Sequence, residues 1–161
     1  MSRELREPLT NISGFCRLIL KGLDGPISDQ QRHDLQIVYA NSEHLLGLIN
    51  DLLDVSQIEA GLMELQFEEV DLEAMTRSVM ATASALVRDK DIQLHREVAE
   101  LPCVRADASR IRQVLLKLLT NAAKFTEAGA ITLRAWSADR QVFVSVADTG
   151  RGISVEGQQR V

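Results

Sequence analysis

Apolar residues recur at alternating steps of four and three along the first sixty positions of the chain. This spacing predicts a first helix and, after the break at Asp24-Gly25-Pro26, a longer second helix capped by Ser28. The first seam consists of Leu5, Leu9, Ile12, Cys16, Ile19 and Leu23, and the second of Leu35, Val38, Ser42, Leu45, Ile49, Leu52 and Ser56, widened by Leu46, Leu48, Leu53 and Val55. A lone hairpin cannot bury stripes this wide. We therefore expect a homodimer in which two hairpins form a four-helix bundle.

Helical and alternating patterns are mixed in the rest of the chain, which makes the fold class α+β. Gly61 predicts the end of the second helix and a domain boundary, so that residues 1–60 and 61–161 are two domains. The pattern predicts strands at 65–70, 92–98, 130–136 and 141–147, with helices at 71–90 and 107–126.

The helix at 107–126 carries both an apolar and a polar stripe. Seven residues form a broad apolar arc that is expected to face the core: Ile111, Val114, Leu115, Leu118, Leu119, Ala122 and Phe125. Gln113, Lys117, Asn121 and Lys124 form the polar stripe along one edge of that arc. One amide and two ammonium groups beside a buried wall favour the binding of an anion.

A second candidate site follows the last predicted strand. Val142, Val144 and Val146 alternate toward Asp148, and the turn that follows contains Gly150 and Gly152. Two missing Cβ atoms allow the backbone to approach a ligand closely.

These two segments carry a resemblance to a known family. Asn121-Ala122-Ala123-Lys124-Phe125-Thr126 resembles the N box of sensor histidine kinases, and Asp148-Thr149-Gly150-Arg151-Gly152-Ile153 resembles their G1 box. The family's ATP-binding domain has the GHKL fold, an α/β sandwich with helices on one face of a mixed sheet. The resemblance implies ATP and Mg²⁺ as cofactors, with Asn121 as a Mg²⁺ ligand, Lys124 near phosphate and Asp148 accepting a hydrogen bond from the adenine amino group.

The hairpin carries the same resemblance. Met1-Ser2-Arg3-Glu4-Leu5-Arg6-Glu7-Pro8-Leu9 is similar to the H box, whose family form is M-S-H-E-L-R-T-P-L, and the segment 48–61 resembles the end of the second dimerisation helix. The family reaction is ATP-dependent phosphorylation of the H-box histidine, followed by transfer to a response regulator. A receiver domain is therefore the implied partner, and a sensor module is implied upstream.

The H box departs from the family at two positions that matter chemically. Arg3 stands at the phosphoacceptor position, and a guanidinium offers no nitrogen lone pair for attack on a phosphoryl group. Glu7 replaces the Thr used in the phosphatase reaction, while Glu4, which would orient the histidine, is retained. The three histidines, His33, His44 and His95, lie outside the motif and are expected to be at the surface or partly packed.

Two further departures concern the nucleotide site. Lys117 occupies the position one turn before Asn121 where the family commonly has Asn, and its ammonium could contact phosphate or repel the metal ion. The sequence stops at Val161, before the family's F box, second glycine box, ATP lid and closing strands. The resemblance thus implies a sandwich that is truncated after the G1 box and that binds ATP weakly.

Charge and composition narrow the function classes. A net charge of -5 without a run of Lys or Arg argues against nucleic acid or an anionic membrane as a partner. No apolar run approaches the roughly 20 residues of a membrane span, so we expect a cytoplasmic location, which is compatible with a larger membrane-anchored sensor. Two cysteines in unrelated settings favour reduced thiols.

Three functions remain open at this stage. The chain is a transmitter of a sensor histidine kinase, a pseudokinase that acts as a dimeric signalling scaffold, or a GHKL ATPase outside signalling. The substitutions at Arg3 and Glu7 favour the scaffold, whereas the helical hairpin argues against the third function.

Overall fold

The computed structural model describes residues 2–23 and 25–154, apart from the side chains of Ser2, Arg3 and Leu5. The chain divides into two compact units, Met1–Glu64 and Leu65–Val161. The described residues form nine helices and strands. No helix in the described ranges is both long and apolar enough to cross a membrane.

The first unit is a pair of helices, α1 (Ser2–Leu20) and α2 (Asp29–Glu59). Ser28 caps α2 as predicted: its hydroxyl accepts from the backbone of Gln31, and the Gln31 side chain accepts in return from the backbone of Ser28. Gly61, with φ of +66°, follows the last turn of α2 and confirms the predicted end of that helix.

The end of α1 was predicted wrongly. The helix stops at Leu20, because Gly22 adopts a φ of +73° and the N–H of Leu23 bonds back to the carbonyl of Leu18 at 3.3 Å. This αL glycine closes α1 before the expected break at Gly25-Pro26, and Asp24 lies outside the described residues. Leu23 is consequently exposed and does not continue the seam.

The two helices bury little of their apolar surface against each other. Cys16 and Ser42 are buried on the seams, but many seam residues are exposed: Ile12, Val38, Leu45, Leu48, Leu52 and Val55. The hairpin therefore retains the unburied stripes from which a partner was expected.

The described part of the second unit, residues 65–154, contains two helices and two small sheets. Its elements are β1 (Glu68–Val70), α3 (Leu72–Leu86), β2 (Asp91–Val98), β3 (Val104–Ala106), α4 (Ala108–Phe125), β4 (Ala128–Ala138) and β5 (Gln141–Asp148). In the larger sheet β4 lies between β2, its parallel neighbour, and β5, its antiparallel neighbour. In the smaller sheet β1 pairs with β3 in antiparallel orientation. The sheet is mixed and the fold class is α+β, as predicted.

One hydrophobic core joins α3 and α4 to the inner face of the larger sheet. Val79, Leu119, Ile131 and Leu133 are almost completely buried in it. On β4 the inward residues alternate with outward ones, such as Arg134, whose Nε lies 2.6 Å from Oε2 of Glu97 on β2. Both helices thus cover one face of the sheet, and the edge of α4 comes to lie near the end of β5.

Several predicted boundaries need correction. The first strand is only Glu68–Val70, and α3 ends at Leu86 rather than at residue 90. Strand β3 was not predicted, because a strand of three residues is too short to show an alternation of apolar and polar residues. Of the apolar arc on α4, Val114, Leu118 and Phe125 are 57%, 43% and 42% exposed, so the buried stripe is narrower than predicted.

Candidate nucleotide site

A cavity of about 870 Å³ lies between α4 and the end of β5. Its walls come from three segments of the second unit, namely the last turns of α4, the end of β5 and the turn after it. The described residues that line it are Leu118, Asn121, Ala122, Phe125, Val146, Asp148, Arg151, Gly152, Ile153 and Ser154. Two of the three exposed members of the apolar arc, Leu118 and Phe125, therefore line the cavity and do not belong to the core.

Helix periodicity explains how α4 serves the core and the cavity together. One face of α4 is buried in the core and consists of Leu115, Leu119, Ala122 and Ala123. The neighbouring face, with Leu118, Asn121 and Phe125, lines the cavity. Asp107 caps the other end of α4 by accepting from the N–H of Arg110 at 3.0 Å, and its second oxygen accepts from the N–H of Gln66 at 3.0 Å. These bonds, that of Arg110 first, lower the pKa of Asp107 from its ordinary value of 3.8.

Asp148 reaches the cavity because it ends β5 on the inward face. Val142, Val144 and Val146 pack against the core, and Asp148 continues the same two-residue alternation. Its Oδ1 accepts a hydrogen bond from the N–H of Gly150 at 2.9 Å. An ionised carboxylate can accept several more bonds, so Asp148 can still receive a donor from a ligand in the cavity.

The two positions of the turn favour glycine for different structural reasons. A Cβ at Gly150 would lie 2.5 Å from the carbonyl oxygen of Phe125 and 2.8 Å from Oδ1 of Asp148, so only glycine lets the turn pack on the end of α4. Gly152 has open space around its Cα but adopts a φ of +64°, which favours glycine. Gly152 lines the cavity, whereas Gly150 packs on the end of α4 and donates a hydrogen bond to Asp148.

Two cationic side chains lie near the aromatic ring of Phe125. The Cζ of Arg151 lies 5.1 Å from the ring centroid, and the Nζ of Lys124 lies 5.4 Å from it. Arg151 itself lines the cavity, whereas Lys124 does not. The cavity therefore combines an apolar wall with positive charge at its border, an arrangement suited to a flat base that carries an anionic group.

The described residues around the cavity offer a metal ion few protein ligands. Within residues 2–23 and 25–154, no group of three or more His, Cys, Asp and Glu side chains could hold a metal ion. Asn121 is exposed and lines the cavity. A single hard oxygen fits Mg²⁺ that is held mainly by water and phosphate oxygens, since this ion is commonly bound through few protein groups.

The predicted site residues thus fall into three groups. Asn121, Asp148 and Gly152 line one cavity. Gly150 and Lys124 contact residues that line it, and Lys117 is exposed on α4 outside its lining. Sequence reasoning missed Arg151, although its place between the two glycines of the turn was a usable signal. It also missed the cavity-forming role of Leu118 and Phe125.

The H-box residues lie on α1, in the other unit. The side chain of Arg3 lies outside the described residues, and Glu4 and Glu7 are exposed. Close by, Nη2 of Arg6 donates to Oδ1 of Asn50 at 3.1 Å and ties the start of α1 to α2. His33, His44 and His95 are exposed.

Comparisons with known proteins agree with this arrangement. The family model of the His Kinase A (phospho-acceptor) domain matches residues 1–61, and that of the histidine kinase-, DNA gyrase B- and HSP90-like ATPases matches residues 106–161. The chain is 40% identical over 166 residues to the circadian input-output histidine kinase CikA of Synechococcus elongatus. This match covers all of the chain and 22% of CikA. The chain belongs to the sensor histidine kinases. It corresponds to their transmitter region.

Other histidine kinases share the fold. The structure of full-length ShkA in complex with AMPPNP matches the chain with a TM-score of 0.78 and 36% identity. The match covers 96% of this chain and 33% of ShkA. The structure of the histidine kinase ThkA in complex with the response regulator protein TrrA matches with a TM-score of 0.63 and 26% identity. The match covers 98% of this chain and 46% of the matched chain in that complex. The chain spans only about a fifth of the curated relatives CikA and the non-motile and phage-resistance protein of Caulobacter vibrioides, which is 40% identical over 168 residues.

Proposed function

We propose that the second unit of this transmitter binds ATP in the cavity between α4 and the end of β5. The observation that carries the proposal is the convergence of Asn121 and Asp148, from two distant segments, on one cavity of about 870 Å³. That volume lies within the range of roughly 300 to 1,000 Å³ that is typical of small-molecule sites. The ATPase family match and the AMPPNP complex of ShkA agree with this ligand class.

Different residues of the cavity would contact different parts of the nucleotide. Leu118, Phe125 and Val146 would cover the apolar faces of adenine, and Asp148 would accept from its amino group. Lys124 and Arg151 stand at the border of the cavity, where their charge would attract the phosphates. Asn121 would hold Mg²⁺, which when bound supplies charge neutralisation at the phosphate oxygens.

The two family matches support a division of the chain into two domains. We assign residues 1–60 to dimerisation and partner docking and residues 61–161 to nucleotide binding, in keeping with the match of the phospho-acceptor domain to residues 1–61. The exposed apolar seams of α1 and α2 support a homodimer with a four-helix bundle. The ThkA complex supports a receiver domain as the docking partner.

The same transmitter architecture is compatible with a scaffold that does not phosphorylate itself. Arg3 at the phosphoacceptor position favours this second candidate, because a protonated guanidinium is not a nucleophile. In that case nucleotide binding would set the conformation of the dimer, and phosphoryl transfer would occur on other proteins of the relay. A GHKL ATPase outside signalling has less support, since the hairpin matches a phospho-acceptor domain.

An NMR titration with ATP and Mg²⁺ tests the nucleotide proposal, and it detects weak as well as tight binding. The backbone signals of Gly150 and Gly152 and the side-chain amide of Asn121 should shift together. Asn121→Ala should reduce the effect of Mg²⁺ on ATP affinity, while Thr120→Ala, on the neighbouring exposed position, should not. Shifts confined to residues outside the cavity, or none at all, would contradict ATP binding at this site.

A further inference from the structure

We propose that Lys90 is a positioning residue for the nucleotide cavity, although it does not line the cavity. Lys90 lies in the connection between α3 and β2. Its ammonium bonds to the last turn of α4, and this turn contributes residues to one wall of the cavity. The inference rests on the proposed function, because it assigns Lys90 a part in holding the ATP site ready.

The contact is made with backbone carbonyl oxygens at the end of α4. The Nζ of Lys90 donates to the oxygen of Ala123 at 2.5 Å and to the oxygen of Thr126 at 3.1 Å. The last four carbonyls of a helix lack partners within the helix. A cation that reaches them supplies donors and also opposes the negative end of the helix dipole.

This helix end is where the cavity is built. Asn121, Ala122 and Phe125 line the cavity within five residues, and the N–H of Thr126 closes the turn on the carbonyl of Ala122 at 3.0 Å. On the other side, Gly150 packs against the carbonyl of Phe125 so closely that a Cβ would not fit. The last turn of α4 is therefore fixed by Lys90 through Ala123 and Thr126 and by the turn after β5 through Phe125.

A loss of Lys90 should release this turn. Without its ammonium, the carbonyls of Ala123 and Thr126 would have to find water, and the turn would open more often. Phe125 and Asn121 would then leave the positions in which they line the cavity together with Asp148. Nucleotide affinity should fall even though Lys90 does not contact the ligand.

Arg96 provides a matched control in the same unit. It is also a cation that bonds to a helical carbonyl, since its Nη2 donates to the oxygen of Glu73 at 3.0 Å, and it also donates to Oγ1 of Thr76. These contacts are at the first turns of α3, away from the cavity. Arg96→Met removes a comparable contact without touching α4.

The test combines amide hydrogen exchange with ATP titration on the parent chain, Lys90→Met, Lys90→Arg and Arg96→Met. Lys90→Met should speed exchange of residues 122–126 relative to residues 72–86 by roughly tenfold and weaken ATP binding by roughly threefold to tenfold. Lys90→Arg, which can still donate to both carbonyls, should restore both values to within roughly twofold. Arg96→Met should leave the exchange of residues 122–126 and the ATP affinity near the parent values.

Two results would overturn the positioning role. One is an exchange increase in Lys90→Met that is spread evenly over the second unit, and the other is an unchanged ATP affinity despite faster exchange at residues 122–126. Lys90→Gln, which keeps a neutral donor, replaces Lys90→Met if the latter does not fold. If the parent binds no ATP while Lys90→Met still opens residues 122–126 selectively, the nucleotide proposal fails and the restraint on the cavity wall stands.

Discussion

The backbone N–H of Gly150 donates a hydrogen bond of 2.9 Å to Oδ1 of Asp148. This bond orients the carboxylate at the end of β5, and Gly150 can approach closely enough to make it only because it has no Cβ. The acceptor that would select adenine is therefore fixed by the turn that follows it. A glycine of the G1 box acts here on a neighbouring side chain as well as on the path of the backbone.

Asp148→Asn should weaken ATP binding by about 1 to 3 kcal/mol, because an amide group replaces an acceptor that faces the adenine amine. Asp139→Asn is the control, since Asp139 lies in the hairpin turn between β4 and β5 with a φ of 51°, which Asn tolerates. Calorimetric or NMR titration of both variants measures the difference. Equal affinities would show that Asp148 does not bind the base.

We expect the chain to be a dimer in solution at micromolar concentration. Leu52 is 68% exposed on α2, and Leu48 and Val55 are about half exposed on the same helix. Leu52→Glu should shift the protein to a monomer because it places a charge in the predicted bundle core, whereas Gln36→Glu should not. Light scattering that finds the unchanged chain monomeric would remove the four-helix bundle.

Asp107 should make the second unit sensitive to acid. Its pKa is lowered because the N–H groups of Arg110 and Gln66 donate to the carboxylate. A lowered pKa in the folded state means that the stabilisation is fully present above the pKa of the unfolded chain and is lost as the pH falls through that of the folded protein. Asp107→Asn should flatten the fall of the urea midpoint as the pH drops below 3.8, the ordinary pKa of this carboxyl. An unchanged pH profile would assign that fall to other carboxylates.

Arg3→His separates the scaffold from an active kinase. If the lost histidine is the only chemical defect, the substituted protein should acquire an acid-labile, base-stable phosphate from ATP, provided that its ATPase domain carries every segment the family uses. The protein with Arg3 should acquire none. Glu7 adds a second carboxylate near the incoming phosphate, so partial activity is expected. Phosphohistidine at His33, His44 or His95 in the unchanged protein would contradict the H-box alignment.

Local signals in the sequence predicted those parts of the fold that local chemistry decides. Ser28 begins α2 because its hydroxyl caps the helix, and Gly61 follows its end because glycine accepts positive φ. The strand and the turn around Asp148 followed from alternation and from two glycines. In each case the residues that determine the structure are neighbours in sequence.

Tertiary contacts decided what the sequence could not. Lys90 reads as an ordinary surface lysine at the end of a helical pattern, and its partners lie 33 and 36 residues away. Phe125 and Leu118 read as core residues, because a helical pattern gives the direction of a side chain but does not tell whether core or cavity lies there. Gly150 was predicted as a ligand contact, and its packing on Phe125 depends on where α4 ends.

The structure of the chain with ATP and Mg²⁺ tests the central claim most directly, either in crystals or through intermolecular NOEs in solution. The adenine amino group should lie within hydrogen-bonding distance of the Asp148 carboxylate, with the base against Phe125 and the metal ion at the side-chain oxygen of Asn121. A nucleotide bound outside the cavity, or bound in it with its phosphates toward Asp148, would contradict the account.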